Sequence, residues 1–289
     1  MRDEAGPGYG RLIQLLPLIL LAPGLALVLL LFLYPLLRLI VESFLDPTPG
    51  FANYVTVLTD PTLWQIIKTT LIISAQCTIT TLVLAYPVSY LLSRLPRPRA
   101  NLLMMFVLLP FWTSLLVRMY AWMVLLGRHG IINEAVIGMG LTATPYPLLY
   151  NRFAVIVGMS HFLLPFMVLS LYSTMIAIDR SLIEAASSMG SSFRQTFWRI
   201  YLPLSLPGVY SGCLLVFILG MGFYITPALL GSPRETTISV YIQQQIQQLN
   251  WGEGTAMAVI LVAIVIALFA SYDRLFGFDR LFRNVGPQS

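Results

Sequence analysis

The chain has 289 residues, 57% of them apolar and only 10% charged, and its mean hydropathy is +0.81. Soluble domains carry about 25% charged residues, so this composition excludes a water-soluble fold and indicates an integral membrane protein. The net charge of +5 rests on 16 Arg and one Lys against 12 acidic residues, an excess that in a membrane chain encodes orientation rather than nucleic-acid binding.

A short tail, residues 1–11, precedes an apolar run, Leu12–Ile40, that exceeds the roughly 7–15 residues of a signal-peptide core. It therefore reads as a retained first span, with cleavage near Ala22 or Ala26 as the alternative. A membrane helix needs about 20 apolar residues. The sequence offers five more such stretches, at Ile66–Leu92, Leu102–Leu126, Phe153–Ala177, Pro207–Leu230 and Thr255–Tyr272, giving a six-span domain over 12–272 and a tail over 273–289. Pro165 is predicted to kink the fourth span; Gly220, Gly222 and Pro227 are predicted to loosen the upper part of the fifth. With the N-terminus inside, eleven Arg fall on the cytoplasmic side and Arg128, Arg152 and Arg234 on the outer loops, so both termini are expected in the cytosol.

The second span carries Thr70, Ser74, Cys77 and Thr81 at spacings of 4, 3 and 4, a small polar stripe that lines either a helix contact or a water-filled path. Cys77 and Cys213 both lie in apolar runs and read as buried thiols. Arg118 lies within the expected third span, where a charge costs at least about 2.5 kcal/mol and calls for a partner. That partner is a carboxylate of a second subunit, a carboxylate on the cargo, or the outer surface reached by snorkelling. Tyr120, Trp122 and Tyr224 offer rings to a cationic cargo, or pack in the core or at the interface; His161 reads as a packed histidine. None of the six stretches contains Asp or Glu, which argues against ion coupling, since an intramembrane carboxylate normally carries the coupling ion. There is no phosphate-binding Gly-Lys loop, metal-ligand cluster or nucleophile–base set, so no catalytic, cofactor or metal site is expected.

Between the fourth and fifth spans, over about 178–206, runs EAASSMGSSFRQTFWRIYLP. Ser181 and Glu184 have capping-box spacing, as do Ser192 and Gln195, and Gly190 between them suits a left-handed turn. The loop thus reads as two short capped helices, the second ending before Pro203, with Leu182, Ala186 and Met189 on one face and Pro207 opening the next span. Helices this short need a surface to pack on, either a partner protein or this chain's own membrane domain. On the outer side, YIQQQIQQLNWGEG reads as an interfacial helix with Ile242, Ile246 and Leu249 on one face, resting on lipid or receiving a binding protein. Asp46, Asp60, Glu134, Glu235 and Glu253 give that side a mildly acidic character.

Glu184, Ala185, Ala186, Gly190, Ile200, Leu202 and Pro203 stand at the spacing Glu-Ala-Ala, three residues, Gly, nine residues, Ile, one residue, Leu-Pro. This pattern resembles the signature of permease subunits of ATP-binding-cassette importers. The stretches Leu109–Asn133, Pro147–Met175 and Gly222–Pro233 are similar to the spermidine/putrescine branch. The resemblance implies a type I importer permease fold and a multi-pass place in the bacterial cytoplasmic membrane. It also implies a coupling helix in the 178–206 loop, a second homologous permease, two ATPase subunits that hold the ATP and Mg, and a substrate-binding protein. The implied cargo is a polyamine. A carboxylate-bearing amine such as 4-aminobutyrate or an opine-like conjugate is the alternative, and an ion-coupled secondary transporter the more distant one.

Overall fold

The computed structural model describes residues 20–276, which are helices joined by turns and loops, with no strand among them. The helices are α1 Leu20–Leu45, α2 Ala52–Thr59, α3 Pro61–Arg94, α4 Arg97–Leu108, α5 Leu115–Leu126, α6 Ile131–Gly138, α7 Arg152–Ile176, α8 Arg180–Ser188, α9 Phe193–Met221, α10 Ile225–Leu230, α11 Ile238–Gln247 and α12 Trp251–Phe276. Among the described residues, six helical segments are long and apolar enough to cross a membrane; the third is Leu115–Gly138, α5 with α6, displaced from the expected Leu102–Leu126. The tail 1–11, the start of the first span before Leu20 and the tail beyond Phe276 lie outside the described residues.

The core is α3, α7 and α9. Asp60 starts α3 by accepting the Thr62 N–H at 2.7 Å, and Pro61 occupies the first turn, where its missing N–H costs nothing. At 34 residues α3 is about 51 Å long, well beyond a hydrocarbon core of about 30 Å, so it overshoots the expected span at both ends. Packing depends on small residues. Gly208, Gly212, Val216 and Gly220 recur every fourth position along α9 and are buried. A Cβ on Gly208 would stand 2.7 Å from Thr174 Oγ1, and one on Gly212 2.7 Å from Met167 Sδ. Ser170 of α7 hydrogen-bonds Ser211 across this seam at 2.8 Å. In lipid, where apolar burial does not drive helices together, such close approach is what associates them. Gly220 packs beside Ser74 of α3 within an unbroken helix, so it does not loosen the span; the chain leaves the helix only at Gly222.

The third stretch departs from the expected single helix. It is α4, a 3-10 turn over Leu109–Trp112, an extended Thr113 and Ser114, and then α5. Pro110, without an N–H, and the two hydroxyl residues after Trp112 account for the interruption.

A second apolar cluster joins α2, α3, α11 and α12 through Val57, Leu63, Ile66, Ile67, Ile238 and Met257. α11 therefore rests on the protein itself, with Ile242 partly buried there, while Leu249 lies beyond the helix on the following turn. The acids expected on the outer side are mostly committed: Asp46 accepts from Gly252 N–H, Asp60 caps α3, Glu235 binds Ser232, and Glu253 accepts from Tyr241 and Asn250. Burial, reinforced by the bond to Glu253, holds the Tyr241 phenol well above its usual range. α1 lies at the periphery, with none of its most apolar stretch buried. Its last turns reach Glu42, which pairs with Arg38 at 3.9 Å; the helices run past the apolar stretches and include acids at their ends.

Candidate functional site

The loop between α7 and α9 is a fixed corner. Asp179, rather than Ser181, starts α8: its Oδ1 accepts the Ser181 N–H at 2.9 Å, and Glu184 makes no return bond. An Asp in the extended conformation just ahead of a helix outcompetes a box set two residues later. The bond to Ser181 lowers the exposed Asp179 carboxyl below the usual carboxylate range. α8 ends as the sequence predicts. Gly190 has φ +78°, its N–H reaches Ser187 O at 3.0 Å, and Ser191 N–H reaches Ala186 O at 3.0 Å. Ser192 and Gln195 then form the predicted capping box.

The second short helix does not stop before Pro203. A π turn over Phe197–Tyr201, closed by Leu202 N–H to Phe197 O, carries the helix through Pro203 and Pro207 into the membrane as α9. A wider turn absorbs the clash a proline ring makes with the preceding turn. Ile200 and Leu202 are half-buried along this passage, and Pro203 is exposed.

α8 buries none of its residues. Leu182 is 48% exposed and Met189 87%, beside exposed Glu184 and Ala185 and half-buried Ala186; Phe193 and Trp198 extend the apolar surface at 74% and 60%. The opposite side is clamped. The Phe197 ring meets Tyr86, Tyr90 and Tyr201 with centroids 5.8 to 6.1 Å away. The Tyr201 hydroxyl pairs with Ser93 at 2.8 Å and the Tyr86 hydroxyl with Ser205 at 2.9 Å. Arg180, at the start of α8, donates to Ser93 O at 3.3 Å. The π turn of α9 is therefore packed on the end of α3, and α8 is tied to the same end through Arg180.

The other candidates separate into two groups. Thr70, Ser74 and Thr81 are 0%, 1% and 0% exposed, inside the α3 packing, so in this conformation they border no open path. Thr70 accepts the Ile238 N–H at 2.9 Å and so anchors the start of α11; Cys77 lies 3.6 Å from Ser160 Oγ and 3.9 Å from Thr81 Oγ1. Cys213, half-buried, lines a shallow apolar groove with Tyr210 and Leu268. Arg118 is in the first turn of α5, at the break itself, rather than three turns into a span. Its guanidinium donates to Thr113 O at 3.2 Å and lies 5.2 Å from the Phe162 ring centroid. Trp122 donates to His161 Nδ1 at 3.2 Å, one residue from Phe162. Phe162 continues to Phe223 at 5.0 Å, where α9 breaks before α10, and Tyr224 follows at 38% exposure. Tyr120 is 59% exposed. Arg118, Trp122, His161, Phe162 and Phe223 thus meet where the third and fifth passages both lose their helix, the kind of place where exposed backbone is tolerated beside a cavity. Phe162 and Phe223 were missed in the sequence because aromatics at helical spacing look like ordinary core.

Six apolar passages, broken third and fifth helices and a small-residue loop docked at one end define a membrane permease rather than an enzyme. The chain matches, over residues 8–278, the family of inner membrane components of binding-protein-dependent transport systems, and it belongs to that family. It is 35% identical over 250 residues to the spermidine/putrescine transport system permease protein PotB of Haemophilus influenzae, covering 84% of this chain and 87% of that one. The Escherichia coli PotB is 35% identical over 233 residues, covering 80% and 84%. A solved bacterial alginate ABC transporter superposes with a TM-score of 0.75 at 19% identity, over 92% of this chain and 96% of that one. The MetNI methionine ABC transporter does so at 0.55 and 18%, over 75% and 97%. The fold is that of the type I importer permeases.

Proposed function

We propose that this chain is one of two permease subunits of an ATP-driven importer in a bacterial cytoplasmic membrane, forming the path for a polyamine handed over by a binding protein. The end bearing α8 faces the cytosol, and two ATPase subunits, which hold the ATP and Mg, receive that helix. Glu184, Ala185, Ala186 and Gly190 form the docking surface; Ile200, Leu202 and Pro203 shape the π turn behind it. The observation that carries this reading is a helix with no buried residue, tied at its start to the end of α3 by Arg180, beside the Phe197–Tyr201 turn that packs α9 on Tyr86 and Tyr90. When ATP closes the ATPase pair, α8 moves, and the clamp passes the motion to α3 and α9. Gentle solubilisation of native membranes with a tag on this chain should recover a nucleotide-binding ATPase and a second six-span protein. Recovery of the chain alone would reject the reading.

One observation favours a different cargo. Arg118 has no carboxylate partner among the described residues and stands at the junction of the two broken helices. If it receives a carboxylate on the cargo, Arg118→Ala should impair uptake of 4-aminobutyrate more than that of spermidine. Equal impairment leaves the polyamine reading in place, with Arg118 in a structural role.

A further inference from the structure

Three arginines converge on one cavity at the α8 end of the molecule. It measures about 290 Å³, lies between the end of α3, the start of α4, the end of α7 and the start of α8, and is lined by Arg94, Arg97 and Arg180. We propose that this cavity binds a phosphate group, and that its apolar rim favours the headgroup of an anionic phospholipid.

The charge is uncompensated. Among the described residues the only ion pair is Arg38 with Glu42, so none of the three guanidinium groups has a carboxylate within reach. Asp179 precedes Arg180, but its carboxylate is engaged with the Ser181 N–H. Arg94 lies 5.2 Å from the ring centroids of both Tyr90 and Tyr201, contacts that orient it without neutralising it. Arg180 spends one donor on Ser93 O. The remaining forked N–H groups match the paired oxygens of a phosphate.

The lining is mixed. The surface the cavity exposes is chiefly polar, and Leu92, Met175 and Tyr201, each 2% exposed, pack behind it. On its rim Ile176 is 56% exposed and opens onto the outer surface of α7, where an acyl chain can leave. A basic pocket between membrane helices at the edge of the bilayer is suited to acidic headgroups. Because Arg180 begins α8, an anion bound there would tie the α3–α4 corner to the helix proposed above to dock on an ATPase. The cavity stands on geometry alone; only the leaflet it meets rests on the orientation in that reading.

The test uses the purified full chain in nanodiscs of phosphatidylcholine with and without phosphatidylglycerol, and counts retained phosphatidylglycerol by native mass spectrometry. Wild type should retain phosphatidylglycerol in preference to phosphatidylcholine, and affinity should fall about fivefold for each arginine replaced by Gln. Arg97→Gln is the cleanest single change, since Arg97 makes no hydrogen bond or ring contact among the described residues and its loss leaves the fold untouched. The triple variant Arg94→Gln/Arg97→Gln/Arg180→Gln should lose on the order of a hundredfold, and Arg128→Gln/Arg234→Gln, in the outer loops, nothing. Inorganic phosphate titrated into phosphatidylcholine discs separates the sources: binding that weakens about fivefold in Arg97→Gln and is lost in the triple variant supports the same site with a soluble ligand. Equal phosphatidylglycerol retention by wild type, Arg97→Gln and the control, with no phosphate binding, overturns the proposal. Neither readout involves the ATPase or transport, so a failed co-purification and a failed headgroup site are distinct results.

Discussion

Gly208 and Gly190 are both positions where the fold requires glycine, for opposite reasons. At Gly208 the backbone is ordinary helix and the space is gone: a Cβ would lie 2.7 Å from Thr174 Oγ1 and 3.1 Å from Ser170 O. At Gly190 nothing lies within 4 Å, and it is the φ of +78° that makes any other side chain costly. The first is a steric constraint within the α7–α9 seam. The second is a conformational constraint in a loop whose outer face touches nothing in this chain. Damage at the seam should therefore destroy the protein, and damage at the loop should leave a folded protein that does not work.

The largest effect is expected at the seam. Gly208→Leu cannot be absorbed, because Thr174 is β-branched and stiff and the Ser170 carbonyl belongs to the backbone. The variant should be lost from the membrane fraction and from the monodisperse peak on size exclusion; normal yield of a stable protein would mean that α7 and α9 are not held by close approach. The next largest is at the loop. Gly190→Asp forces a side chain into the left-handed region, at a cost of about 1–2 kcal/mol, and adds charge to the docking face. Glu184→Lys reverses an exposed carboxylate that has no partner among the described residues. Both variants should reach the membrane at wild-type level with transport at background, and retained transport in both would remove the coupling role of the loop.

This contrast also marks what the sequence makes legible. The six apolar passages and the Gly190 turn are readable because each depends on local chemistry: run length, a Gly after a capped turn, a Ser–Gln pair at box spacing. The helix start at Asp179 was missed although it too is local, because the Ser181–Glu184 spacing offered a competing pattern. The interruption at Thr113–Ser114 was missed because hydropathy stays high across it. Passage of the helix through Pro203 depends on a π turn, and no residue pattern announces one. The seam of Gly208 and Gly212 went unread, because which helix a glycine faces is a tertiary fact. Likewise Arg94, Arg97 and Arg180 come together only when the ends of α3 and α7 do.

A smaller effect sharpens the comparison from the end of α11. α11 ends with the same pair of bonds as α8, Leu249 N–H to Ile246 O and Asn250 N–H to Gln245 O, but the left-handed position holds a leucine at φ +61°. Leu249 is 77% exposed, so its side chain contributes little packing to set against that strain. Leu249→Gly should stabilise the protein by about 1 kcal/mol, read as a rise in the melting temperature of the detergent-solubilised chain. A fall instead would show that the contacts Leu249 makes in this chain outweigh the backbone strain.

The smallest effect is the cap itself, and pH isolates it. The hydrogen bond to Ser181 lowers the Asp179 carboxyl below its ordinary value of 3.8, so its contribution is fully present above that value and is lost only as pH falls through the lower, folded one. Near neutral pH the α8 cap is therefore insensitive to acidification. Hydrogen exchange of the Ser181 amide should be protected equally across the neutral range, with protection lost only under strong acid. Asp179→Asn keeps an oxygen to accept the bond and removes the charge, so it should preserve protection and abolish the acid response, whereas Asp179→Ala should expose that amide at every pH. If all three proteins exchange alike, α8 is held by the Phe197–Tyr201 clamp and Arg180 alone, and its start is not set by Asp179.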